Sequence, residues 1–192
     1  MIPTQTARFP TFSRLLHWLM AAMILAMLLI GIGMVASVSE RYEVLVAIHR
    51  PLGIGILVLV VIRFLNRLFN KPPALPAAMP PVMRWAATAS HVVLYALMFI
   101  LPLVGWGMLS AARYPIVLWG SWELPPILPH DLALYAWLRP LHTDLAYLLF
   151  ATFLAHLGAA LFHGMIRRDG VLASMASWRR TPRTAISRSP GA

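Results

Sequence analysis

The chain has 192 residues, 60% of them hydrophobic and 11% charged, and its mean hydropathy of +0.75 lies above the range of ordinary soluble domains. Its formal net charge of +10 comes from basic residues that flank apolar runs instead of gathering on one soluble face, which excludes a nucleic-acid-binding protein. Cysteine is absent, which excludes disulfides, thiolate metal centres, iron–sulfur clusters and C-x-x-C-H attachment, and leaves histidine and methionine as the ligands for a redox metal.

A helix needs about 20 residues to cross roughly 30 Å of hydrocarbon. Four runs satisfy this, and the expected fold is an all-α four-helix transmembrane bundle over residues 15–166. Residues 1–14 form a short N-terminus with Arg8 and Arg14. Helix one, 15–38, opens with Arg14-Leu15-Leu16-His17-Trp18. Its basic start and the small residues Val35-Ala36-Ser37 resemble a secretory signal, but the run is too long for a signal core, and cleavage would discard His17. Helix two, 44–64, carries His49 one turn from its start. Arg63, Arg67, Lys71 and Arg84 then lead to helix three through the proline-rich stretch 71–81, which should be extended and semi-rigid.

Helix three, 85–110, carries His91, and Pro102 with Gly105 and Gly107 predicts a kink. The loop 111–137 crowds Tyr114, Trp119, Trp122, Tyr135 and Trp137 among prolines and suits a headgroup-level aromatic cap. Within it, 131–138 reads as a short helix with Asp131 at the N-cap, running into Arg139-Pro140. His130 should be exposed there. Helix four, 138–166, carries His142, His156 and His163, and a basic tail, 167–192, contributes Arg167, Arg168, Arg179, Arg180, Arg183 and Arg188.

Most basic residues thus fall on the side of both termini, predicted to be cytoplasmic. The opposite side has Arg41, Arg50, Arg113 and Arg139 against Glu40, Glu43, Glu123, Asp131 and Asp144.

Histidine in hydrocarbon is costly, so several at matched depths read as a ligand set. His142 and His156 differ by fourteen residues, about 40° around the helix and about 21 Å along it, so one helix can serve two stacked sites. His49 lies at the depth of His142, and His17 faces the depth of His156. Such pairs suggest two bis-histidine haems, which transfer electrons and leave no iron position open for oxygen. His163 is a competitor on the same stripe, about 10 Å further inward, but it would place the irons about 31 Å apart, and tunnelling falls exponentially with distance. His91 is equally compatible with a structural role. Gly31, Gly33, Gly53, Gly55, Ala155, Gly158 and Ala159 can admit either a flat macrocycle or a neighbouring helix.

The motif opening helix one, Ile48-His49-Arg50-Pro51-Leu52-Gly53 in helix two, Ser90-His91-Val92-Val93-Leu94-Tyr95 in helix three and the three histidines of helix four together resemble the bacterial cytochrome b561 family, over roughly residues 12–174. The resemblance implies an inner-membrane protein with a cytoplasmic-side haem b on His17 and His156, a periplasmic-side haem b on His49 and His142, and electron exchange with ubiquinone. Some family members are superoxide oxidases, which pass an electron from periplasmic superoxide to ubiquinone. Arg50 and Arg139, next to the outer histidines, could then draw the anion in, or neutralise haem propionates. The alternatives are an electron-transfer or anchor subunit of a separate periplasmic dehydrogenase or hydrogenase, and a haem-free carrier or scaffold. Membrane lipid surrounds the chain in every case.

Overall fold

The computed structural model describes residues 8–38, 40–118 and 120–177. Trp119 and the tail arginines Arg179, Arg180, Arg183 and Arg188 lie outside the described residues. Four long helices, α1 (Thr11–Val35), α2 (Glu40–Phe69), α3 (Pro81–Ala111) and α4 (Leu132–Leu161), are each long and apolar enough to cross a membrane. In lipid every backbone polar group must find its partner within the segment, and a helix does this for an apolar run of any side-chain composition. With 25 to 31 residues each, they extend about 38–47 Å and project beyond the roughly 30 Å of hydrocarbon.

Those projections correct the expected boundaries. α2 does not end at residue 64 but runs to Phe69, so Arg67 joins Arg63 as a helical residue at the end of the bundle nearer the chain termini, called the inner end, the opposite one being the outer. α3 starts with Pro81 at its first turn, where the missing N–H costs nothing. The short helix expected over 131–138 is the first part of α4. Asp131 Oδ1 accepts from Ala133 N at 2.8 Å and Leu134 N at 3.1 Å, the cap the sequence predicts, and the helix continues through Pro140. Proline fits helical φ, and the loss is one backbone bond, at the Ala136 carbonyl. Pro51 in α2 and Pro102 in α3 are likewise accommodated inside unbroken helices.

α1 packs along α2, α3 along α4, and the two hairpins join through α2 and α3. α4, by contrast, stands off from α1 and α2. The core fills the middle of the bundle with Met20, Ile24 and Leu28 of α1, Ile56 and Val60 of α2, Leu97, Met98 and Leu101 of α3, and Leu149 of α4. Leu149 is seven residues from both His142 and His156, so an apolar layer separates two histidine levels.

At the outer end the loop forms a small hairpin, β1 (Val117–Leu118) against β2 (Trp122–Glu123). The left-handed backbone at Gly120, φ +81°, makes its turn. Ile116 and Leu118 are buried beneath it, while Tyr114, Trp122 and Trp137 are exposed, as an interfacial aromatic cap requires. The Trp106 indole donates to the Pro125 carbonyl and His130 Nδ1 meets the Ala111 carbonyl, pinning the loop to the end of α3.

At the inner end α4 passes into a π-helical turn (Phe162–Arg167). Left-handed Arg168 and Gly170 then reverse the chain into α5 (Val171–Ala176). α5 lies over the start of α1: Phe9 N donates to Ser174 O, the Trp18 indole to Met175 O, and the Arg14 guanidinium to Ser177 O.

Candidate functional site

The four helices bring the histidines together at two levels. At the outer level His49 of α2 faces His142 of α4, with ring centres 6.1 Å apart and planes 69° from parallel. At the inner level His17 of α1 faces His156 of α4 at 6.3 Å and 68°. Each pair spans the gap between α4 and a helix from which it stands off.

These separations test whether an iron-centred group fits. With imidazole–metal bonds of about 2.0–2.1 Å and a ring nitrogen about 1.1 Å from its ring centre, imidazoles on opposite sides of one ion have centres roughly 6.3 Å apart. Both pairs meet that value. His91 does not: its ring centre is 5.1 Å from that of His156, too close for an ion between them. Among the described residues no group of three or more histidines or carboxylates could hold a bare metal ion. A haem brings most of its iron's ligands with it, so a pair of histidines at this spacing fits one.

The outer pair sits in apolar surroundings. Nδ1 of His49 is buried without a hydrogen-bond partner among the described residues. The Leu101 carbonyl of α3 lies toward the His142 ring, yet His142 Nδ1 makes no aligned hydrogen bond. The ring can lie this near α3 because residue 105 is glycine: a Cβ there would come within 3.2 Å of His142 Cε1. Gly105, expected as part of a kink, is therefore a seat for a candidate ligand. Arg50 is half-buried beside His49, and Arg139 is exposed one turn before His142.

The inner pair sits in a polar network. Arg63 Nη2 is 3.1 Å from His17 Nδ1 and Arg63 Nε donates to the Tyr95 hydroxyl at 3.1 Å, while the Arg67 guanidinium lies over the Tyr95 ring. His91 Nδ1 meets the Ala87 carbonyl at 2.6 Å, which holds its ring against His156. His163 is buried, with Nδ1 at 2.6 Å from Asp169 Oδ2. The π-helical turn and the left-handed residue after it fold Asp169 back, a reversal that straight-helix geometry could not foresee.

Sequence reasoning missed Arg63. A signal was present, since an arginine inside an apolar run at the depth of His17 calls for a named partner. The glycines divide: Gly33, Gly53 and Gly55 face Leu45, Met27 and Met23 across the α1–α2 contact, whereas Gly31 and Gly158 face open space.

The chain matches the prokaryotic cytochrome b561 family over residues 8–178. It is 30% identical to cytochrome b561 homolog 2 of Escherichia coli (strain K12), over 88% of this chain and 90% of that protein. To cytochrome b561 homolog 1 of the same organism it is 27% identical, over 74% and 80% of the two chains. To the probable superoxide oxidase CybB of Yersinia pestis it is 30% identical, over 69% of this chain and 75% of that one. The chain therefore belongs to the prokaryotic cytochrome b561 family of membrane electron-transfer proteins.

Proposed function

We propose that this cytochrome holds two b haems, one between His17 and His156 and one between His49 and His142, and acts as a superoxide:ubiquinone oxidoreductase of the bacterial inner membrane. The observation that carries the reading is the pair of facing histidines at each of two levels, 6.3 Å and 6.1 Å between ring centres. Haem b held by two histidines would supply one-electron iron chemistry without binding oxygen. Two superoxide anions each give up one electron and leave as dioxygen. The two electrons, with two protons, convert one ubiquinone to ubiquinol.

The apolar layer sets what can cross between the two levels. Leu149 and its core neighbours exclude water between the levels, so charge crosses as an electron alone. The positive-inside rule supports cytoplasmic termini, with His49 and His142 then toward the periplasm, where Arg50 and Arg139 would favour approach of an anion. The 30% identity to a probable superoxide oxidase supports this donor.

Anaerobic mixing of the oxidised protein with superoxide tests the reading. Haem should be reduced within the mixing phase and reoxidised on adding a soluble ubiquinone. Haem that superoxide leaves oxidised would reject the activity and favour a carrier serving another dehydrogenase. Pyridine haemochrome analysis should give two haems per chain, and a value of one or none would reject the paired sites.

A further inference from the structure

Arg63 has a contact that iron ligation at His17 would forbid. Its Nη2 lies 3.1 Å from His17 Nδ1, and arginine carries five N–H donors and no acceptor. Nδ1 is therefore the acceptor, and the proton of neutral His17 is on Nε2. A neutral imidazole that ligates through Nε2 carries its proton on Nδ1 and needs an acceptor there. One that ligates through Nδ1 has no lone pair left for Arg63. In both cases the guanidinium must leave His17, and because it stays charged it needs another acceptor.

The surroundings name the class of that acceptor. Arg63 Nη1 is buried without a partner among the described residues, and neither Arg63 nor Arg67 has an ion pair among them. Ser13, Arg63, Asn66, Arg67 and Tyr95 border a cavity of about 20 Å³, room for roughly one water-sized group. That space admits the oxygen end of a carboxylate. No acidic side chain lines it.

We propose that Arg63 is the carboxylate clamp of the inner haem: as His17 takes the iron, the guanidinium turns from His17 Nδ1 onto a haem propionate, with Arg67 beside it. The proposal rests on His17 and His156 as the inner ligands. It makes ligation and propionate capture one event, because the same movement frees His17 Nδ1 to donate and satisfies the arginine.

The test loads the full-length wild type, Arg63→Gln and Arg63→Lys with haem b or with its dimethyl ester, whose propionates carry no charge. Haem loss to apomyoglobin is followed at the inner centre, with the outer centre as the internal standard for folding. With haem b, Arg63→Gln should speed inner-haem loss about tenfold or more, in line with losing a charge-assisted hydrogen bond, and Arg63→Lys should restore part of the retention. With the dimethyl ester all three should lose it at similar rates. An equal acceleration with both haems would overturn the proposal, since Arg63 would then act through His17 or the fold. Full inner-haem retention in His17→Ala would instead overturn the ligand assignment beneath it.

Discussion

The two histidine levels have nearly the same ring spacing and opposite surroundings. At the outer level His49 and His142 sit among apolar groups, with a glycine as the seat of one ring and no charged side chain hydrogen-bonded to either. At the inner level His17 is tied to Arg63, Arg63 to Tyr95, and His156 touches His91. On the proposed reading, the equal spacing reflects one kind of occupant at both levels. The surroundings differ in what is left to satisfy: imidazole nitrogens buried among apolar groups at one level, and a buried arginine within a low-dielectric bundle at the other.

The comparison breaks most sharply in the ligands. His142→Ala should remove the outer haem and leave the inner one at least partly loaded, and His156→Ala should do the reverse; reduced-minus-oxidised spectra and haem stoichiometry check both. If His163→Ala rather than His156→Ala empties the inner site, the pairing is wrong. Next comes the seat: Gly105→Val places a branched side chain where even Cβ would lie 3.2 Å from His142. It should weaken outer-haem retention by on the order of tenfold, the scale of an overpacking cost of 1–3 kcal/mol, without touching the inner centre. Equal loss at both centres would mean that α3 and α4 had shifted as a whole.

A smaller effect is expected from charge at the outer rim. Arg50→Gln with Arg139→Gln should slow haem reduction by superoxide several-fold at low salt and flatten its dependence on ionic strength. Stopped-flow rates on fully loaded protein decide this, and an unchanged salt dependence rejects steering. The smallest effect on haem should come from His163→Ala. Both centres should stay loaded while the protein loses about 1–3 kcal/mol of stability, because Asp169 is left without its histidine partner. A lower temperature of inactivation with intact spectra is the expected result.

How much of this was legible in the chain varies with the kind of contact involved. His142 and His156 share one helix, so 3.6-residue periodicity was enough to put them on one face at two depths. Asp131 was legible as a cap because its partners are two and three residues away. His163 was set aside as a ligand on distance alone, and its contact with Asp169 was not legible. Periodicity carries only as far as the helix stays regular, and the π-helical turn from Phe162 ends the rule. Arg63 and Gly105 were missed as site residues because each touches a histidine from another helix, 46 and 37 positions away in sequence.

Apolar length, the positions of basic residues and the depths of the histidines all belong to single segments, and lipid leaves a single segment few choices. The sequence by itself therefore determined four membrane helices and the levels at which their histidines lie. Which helices stand apart, how closely the expected histidine pairs approach, and which arginine reaches a candidate ligand depend on side-chain packing between segments distant in sequence. Only the tertiary structure decided those, because helix rotation and spacing are set by the neighbours each helix meets and not by its own pattern.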